Sequence, residues 1–212
     1  MSLTLVPKFA GLANLRPGDV PVAVDIPMGL LESVDLRPCD RQARELLGER
    51  VSTVFAPPSR PLLAAASYAD GRALIAEEQA TSPGAEGVSA QSFGIAPKMR
   101  QADEYVRANP DAQRWLSECH PKLSFSVLTG GKVLVPRKGV SGQTERLRLL
   151  CDRFPGVLDA LRSLPDSSKK AELADALDAL VRLDTALRVC AKDYERLGGE
   201  TDAEGLVIRM MF

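Results

Sequence analysis

The sequence predicts a single α/β domain, in which short strands are separated by helices of ten or more residues. Short apolar runs end abruptly at turn residues, as in "PVAVDIPMGL" (21–30) and "WLSEC" (115–119). Between such runs, apolar residues recur at helical spacing. The 212 residues, 45% of them hydrophobic and 26% charged, suffice for one sizeable core. We therefore expect residues 1–212 to form one layered domain of α/β or α+β type.

The first elements follow from periodicity and from turn residues. Apolar residues at helical spacing in 4–15 predict a short helix that leads into a strand at 21–25. A second helix is expected to begin at Pro38 and to end at Gly48. The β-branched run 51–55 is expected to be extended, because prolines close it.

The rest of the chain is predicted to be mainly helical, with a strand at 115–119. The Gly- and Ser-rich residues 80–94 predict a mobile loop. The final "LVIRMMF" is expected to return to the sheet or to pack as a tail. The predicted helices comprise a patch at 70–79, one beginning at Pro97, one before Gly130 and Gly131, one over 142–154, one over 156–164, and a long C-terminal helix from about 169 to 197.

Composition excludes several classes of protein. No apolar run approaches the roughly 20 residues of a membrane span, and the N-terminus lacks the pattern of a signal peptide. The four cysteines are scattered, and no pair has the C-x-x-C spacing of zinc or redox sites. We therefore expect a cytoplasmic protein without a membrane partner.

The charge is unevenly distributed along the chain. The formal net charge is −1, but residues 98–148 contain ten Lys or Arg against five Asp or Glu, a local excess of five positive charges. This segment predicts a face that binds a polyanion such as DNA or RNA. An alternative is a solvated surface on which the charges are balanced in three dimensions.

Carboxylates at strand ends are the first candidates for chemistry. Asp25 and Glu118 each follow an expected strand, where open α/β sheets bind ligands. Two such carboxylates could share Mg²⁺ or Mn²⁺. Asp175 and Asp178, spaced i, i+3 on the long helix, could add an acid. Such a cluster could hold two metal ions for phosphodiester cleavage.

Each of these residues also has a structural interpretation. Asp25 could cap the Asp-x-Pro-x-Gly turn, and Asp175 and Asp178 could lie on a solvated helix face. His120, the single histidine, could position a water or a phosphate beside Glu118, or it could cap its own turn. The sequence leaves these alternatives open.

Basic residues form a second candidate set. Arg37, Arg41 and Arg44 share one stripe of a predicted helix, and Lys98 and Arg100 lie beside a loop. Guanidinium groups on one stripe suit bidentate contacts with phosphate. The alternative is that Arg41 and Arg44 pair with Asp40 and Glu45.

Several sequence blocks together resemble a known family, the predicted RNase H-like nucleases of domain-of-unknown-function family 429. They lie between about residues 22 and 188, and each block alone would be weakly specific. The blocks are "VAVDIPMGL", "RPCDRQARELLGERVSTVFAPPSR", "SAQSFGIAPKMRQAD", "SECHPKLSF", "GQTERLRLL" and "DALDAL".

The resemblance implies an RNase H-like mixed five-stranded sheet flanked by helices, with a long C-terminal helix. It implies a metal site at Asp25 and Glu118 with Asp175 or Asp178, with the arginine helix, Lys98 and Arg100 along the same cleft. The sequence departs from the family in three ways. The usual first strand, "G-x-D-x-x-x-x-G-W", is absent, so the fold is expected to be N-terminally shortened, and a second copy or another partner could complete the sheet. Lys122 and Gln101 stand where acids are expected.

Two functions follow as expectations. The first is a metal-dependent nuclease that uses Mg²⁺ or Mn²⁺ on DNA or RNA, with Asp25, Glu118, His120, Asp175 and Asp178 as candidate catalytic residues. The alternative is a non-catalytic protein of this fold that binds nucleic acid or a protein partner.

Overall fold

The computed structural model describes the chain in nine separate stretches. It covers all residues except 5, 7, 16–19, 82–86, 88, 133–135, 137–138 and 165–171. In the described residues, a four-stranded mixed sheet is flanked by helices, as the α/β prediction requires. None of the described helices is long and apolar enough to cross a membrane.

The sheet has the strand order β1-β2-β4-β3. β1 pairs in parallel with β2, β2 pairs in parallel with β4, and β3 runs antiparallel to β4. Within the described residues, β1 is therefore one edge strand and β3 the other. The resemblance implied five strands, whereas the described sheet has four: β1 (Val22–Val24), β2 (Leu116–Glu118), β3 (Arg196–Thr201) and β4 (Val207–Met211).

Ten α-helices surround this sheet in the described part of the chain. Two 3₁₀ helices are also described. One, Gly48–Thr53, directly follows the helix that ends at Leu47, and the other, Pro110–Arg114, precedes β2. The α-helices are α1 (Gly11–Leu15), α2 (Pro38–Leu47), α3 (Arg60–Leu63), α4 (Tyr68–Thr81), α5 (Ala90–Gly94), α6 (Ala96–Ala108), α7 (Pro121–Leu128), α8 (Val140–Arg153), α9 (Val157–Arg162) and α10 (Leu173–Ala191).

Helix ends agree well with the residue chemistry. Pro38 occupies the first turn of α2, where its missing N–H leaves no intrahelical bond unmade. Gly48 follows α2 with a φ of 51°, which favours glycine. α7 is followed by Gly130 and Gly131, both with positive φ. These predicted boundaries are confirmed.

Three predictions need correction. Residues 51–55 were expected to be extended, but Gly48–Thr53 is a 3₁₀ helix, in which the Thr53 hydroxyl donates to the Arg50 carbonyl. The long helix ends at Ala191, not near 197, and the chain forms β3 instead. The loop predicted at 80–94 lies partly outside the described residues, and its last five residues form α5.

Two hydrophobic clusters pack the helices that position the site: one joins α10 to α7 and α8, and the other joins α2 to β4. α10 packs Leu177, Leu180 and Val181 against Phe125 of α7 and Leu150 of α8. In the second cluster, α2 lies against the C-terminal strand β4 through the fully buried residues Cys39 and Ala43, which contact Ile208 and Met210. The C-terminal strand therefore belongs to the core, as "LVIRMMF" indicated.

The turn after β1 is fixed to the C-terminal hairpin. A Cβ atom on Gly29 would lie 2.8 Å from Ile208 Cγ1, and its φ is 71°, so this position requires glycine. The neighbouring Leu30 N–H donates to the Asp202 carboxylate at 2.9 Å. Arg60 joins the same point, since its guanidinium pairs with both Asp202 and Asp103. This network holds the "DIPMG" turn in place.

Candidate functional site

The first two strands end side by side and place two acids at the same edge of the sheet. Val24 and Glu118 are register partners in the parallel pair β1–β2. Asp25 lies in the bend that follows β1, where its side chain is 43% exposed, whereas Glu118 is buried.

Glu118 belongs to a closed, buried ion group that we define as Arg37, Asp40 and Glu118. Arg37 Nη2 donates to Glu118 Oε1 at 2.6 Å and to Asp40 Oδ1 at 2.8 Å. Arg37 Nη1 donates to Glu118 Oε2 at 2.8 Å, and the Met28 N–H donates to the same oxygen at 2.8 Å. All three residues are at most 3% exposed. Both oxygens of Glu118 are therefore already bound to the protein.

The charges of this ion group act strongly on one another. Burial alone would lower the pKa of Arg37, but the charges of Asp40 and Glu118 outweigh burial and raise it. Burial, with the charge of Asp40, raises the pKa of Glu118 to about 7, although Arg37 opposes this shift. One guanidinium thus serves two buried carboxylates, Asp40 and Glu118. These features are typical of a structural group rather than of an open metal site.

A second group lies beside α10, and we define it as the acid–histidine group: Asp25, His120 and Asp178. The charges of Asp25 and Asp178 both act on the His120 ring. Asp178 is 5% exposed, whereas the Asp25 side chain is 43% exposed. Asp25 Oδ2 lies 4.0 Å from Nη1 of Arg182, one turn after Asp178 on the same helix. Asp25 and Asp178 thus act electrostatically on His120, whereas Glu118 belongs to the buried ion group.

The tautomer of His120 follows from its hydrogen bond. Its Nε2 lies 3.2 Å from the Thr53 carbonyl, which can only accept, so Nε2 carries the proton. Nδ1 is buried and has no hydrogen-bond partner among the described residues. Burial lowers the pKa of His120 below its ordinary 6.5 and outweighs the two acids, which raise it. The ring is therefore neutral near pH 7, with a lone pair on Nδ1.

Two neighbouring residues are excluded from this chemistry. Asp175 lies in the first turn of α10, where its carboxylate accepts the Glu172 N–H at 3.2 Å and caps the helix. Cys119 is fully buried, and burial raises the pKa of its thiol. A thiol that stays protonated is a poor nucleophile. Of the two helical acids, only Asp178 joins the acid–histidine group.

The predicted metal ligands do not form a complete metal centre. Within the described residues, no group of three or more His, Cys, Asp or Glu side chains could hold a metal ion. Glu118 is occupied by Arg37, and Asp175 caps α10. Two carboxylates, Asp25 and Asp178, remain beside His120. The binding of Mg²⁺ or Mn²⁺ therefore stays a prediction.

The arginines of the α2 stripe make contacts within the protein, and their binding of phosphate stays a prediction. Arg37 is buried in the ion group, and Arg41 Nη2 donates to Asp35 Oδ2 at 2.6 Å. Arg44 Nε donates to the Val54 carbonyl at 2.8 Å. On α6, Arg100 donates to the Leu63 carbonyl, and Lys98 is exposed. The helical spacing was correct, but three of these arginines hold backbone or buried acids.

Comparison with known proteins supplies one match. A family model described as "Protein of unknown function (DUF429)" matches residues 1–203. The chain belongs to this family. No curated protein and no solved structure matches it. The family named from the sequence blocks is confirmed, and nuclease activity stays a prediction for this member.

Two cations near the acid–histidine group were not predicted to belong to it. Arg182 lies four residues after Asp178, a spacing that places both on one helix face, and this signal was available. Lys122 follows the His-Pro turn, and its charge lowers the pKa of His120. The pairing of Arg37 with Glu118, 81 residues away, had no local signal.

Proposed function

We propose that this DUF429 protein hydrolyses phosphodiester bonds of DNA or RNA, with the acid–histidine group as its reactive centre. The observation that carries the proposal is the buried Nδ1 of His120, which lacks a described hydrogen-bond partner and lies near two carboxylates. A neutral imidazole with a fixed tautomer is suited to accept a proton. The family resemblance supports the substrate class by analogy.

The proposed roles follow from the charges around His120. Nδ1 takes a proton from water as the water oxygen bonds to phosphorus, and the bond from phosphorus to the leaving sugar oxygen breaks. The leaving oxygen then takes a proton from solvent. Asp25 and Asp178 stabilise the imidazolium, since their charges raise the pKa of His120. Arg182 and Lys122 lie near enough to these groups to offset the charge of a phosphate.

His120→Gln tests the proposal directly. Glutamine can keep the donor that faces Thr53, but it has no lone pair equivalent to Nδ1. We expect cleavage of single-stranded and duplex oligonucleotides to fall about 100-fold or more. Asp178→Asn should lower it by a smaller factor, and Asp175→Asn, one turn away on α10, should not change it. Assays with EDTA, Mg²⁺ and Mn²⁺ test the metal prediction separately.

A wild-type protein that cleaves none of these substrates under any of the three conditions would overturn the proposal. Equal cleavage by wild type and His120→Gln would overturn it too. Circular dichroism and unfolding curves for each variant show whether a lost activity reflects lost folding.

The second candidate is a non-catalytic protein that binds nucleic acid. It is favoured by the cations that face both strand-end acids, Arg37 at Glu118 and Arg182 at Asp25, because they supply charge where a metal ion would bind. This candidate predicts no turnover and an affinity for nucleic acid that falls steeply with salt. Binding that is insensitive to salt would argue against it.

A further inference from the structure

A basic pocket opens between α2, α7 and α8. Its empty space, open solvent included, is about 380 Å³. Of the described residues that line it, four are Lys or Arg and none is Asp or Glu. The four cations are Arg50, Lys122, Lys132 and Arg146.

Arg146 is the rigid part of this pocket. It is 2% exposed, its Nη1 donates to the Gly142 carbonyl at 2.9 Å, and its guanidinium carbon lies 5.2 Å from the centre of the Phe125 ring. A Cβ atom on Gly142 would overlap the Pro136 carbonyl oxygen and would lie 3.1 Å from Nη1, so this position requires glycine. These contacts orient a cation before any ligand arrives.

The other cations complete a charged rim on an apolar wall. Lys132 is exposed and follows Gly131, whereas Lys122 and Arg50 are partly buried. Leu47 and Phe125, both at most 5% exposed, supply apolar surface inside the pocket. An anion bound in this space would therefore face positive charges and an apolar wall.

We propose that this pocket binds the phosphate group of a phosphate ester, with the organic part of the ester against the apolar wall. Guanidinium and ammonium groups together suit phosphate, because Arg donates in a planar fork and Lys provides a compact charge. The pocket adjoins the acid–histidine group through Lys122, whose charge acts on His120. The binding claim stands on the pocket itself. Only the further step, that the bound ester is the substrate, rests on the proposed function.

Calorimetric titration at low salt tests the binding. The probes are inorganic phosphate, adenosine, adenosine 5′-monophosphate and an oligoadenylate. We expect phosphate and the monophosphate to bind and adenosine not to bind. Lys122→Gln and Lys132→Gln should each weaken the monophosphate about tenfold. Arg148→Gln is the matched control, since Arg148 lies on α8 two residues after Arg146, is 68% exposed and pairs with Asp152.

The same titrations distinguish the source of the phosphate. Tighter binding of the monophosphate than of the oligoadenylate identifies a free phosphorylated compound, and the reverse order identifies a nucleic-acid strand. No saturable binding of the monophosphate to the wild type would overturn the proposal. So would equal weakening in Arg148→Gln and Lys132→Gln. Because His120→Gln should retain binding, a failure of the proposed hydrolysis leaves the pocket standing.

Discussion

Asp25 and Glu118 end neighbouring parallel strands, yet the two carboxylates have different surroundings. Glu118 is buried, and both of its oxygens accept hydrogen bonds from Arg37 or from the backbone. The Asp25 side chain is 43% exposed, and its Oδ2 lies 4.0 Å from Nη1 of Arg182. The comparison teaches that a strand end brings an acid to the edge of the sheet, but the nearest cation decides whether that acid stabilises the fold or stays available to a ligand.

The largest expected effect comes from removing the cation of the closed ion group. Arg37→Met leaves Glu118 and Asp40 buried without their shared guanidinium. We expect the free energy of unfolding at pH 7 to fall by about 3–5 kcal/mol. Arg41→Met on the same helix is the control, since its pair with Asp35 is about half exposed and should contribute less than about 1 kcal/mol. Urea unfolding of both variants measures the difference, and equal losses would contradict the comparison.

The second effect is a pH dependence that belongs to Glu118. The folded protein holds its proton up to a pKa of about 7, whereas the unfolded chain releases it near 4.5. Between these values the folded state binds more protons, so this residue's contribution to stability falls as the pH rises. The unfolding free energy of wild type should therefore decline relative to Glu118→Gln, with a slope on the order of 1 kcal/mol per pH unit.

Unfolding curves at several pH values from 4.5 to 7.5 measure this slope. A difference between wild type and Glu118→Gln that rises with pH would mean that Arg37 holds the pKa of Glu118 below its ordinary value. That outcome would contradict the charge balance of the ion group.

The smallest stability effect is expected at Asp25. Its carboxylate is partly exposed and its ion pair is long, so Asp25→Asn should change the free energy of unfolding by less than about 1 kcal/mol. The same variant should lower cleavage activity under the proposed function. A stability loss as large as that of Arg37→Met would remove the distinction between the two strand ends.

The fold was predictable where the signal is local. The strand that contains "VAV" and the helix that begins at Pro38 follow from spacing and turn chemistry, and the structure confirms them. The 3₁₀ helix at 48–53 was missed, because its β-branched residues favour an extended strand. Strand β3 was missed, because the left-handed Lys192 ends α10 and the chain then pairs with β4.

The candidate site was predictable only in part. Asp25, His120 and Asp178 were found as strand-end, turn and helix residues, and the charges of both acids act on His120. Glu118 was grouped with them because it too ends a strand, but the distant Arg37 binds both of its oxygens. Pairing across 81 residues depends on how α2 packs against the sheet, which no spacing in the sequence encodes.

The most direct test is nitrogen NMR of His120, the protein's single histidine. We expect the neutral ring to carry its proton on Nε2 and to titrate with a pKa below 6.5. Asp178→Asn and Asp25→Asn should lower that pKa further, because each removes a charge that raises it, and Lys122→Gln should raise it. Asp175→Asn and Glu118→Gln should have little effect. A proton on Nδ1, or a larger shift in Glu118→Gln than in Asp178→Asn, would contradict the assignment of the acid–histidine group.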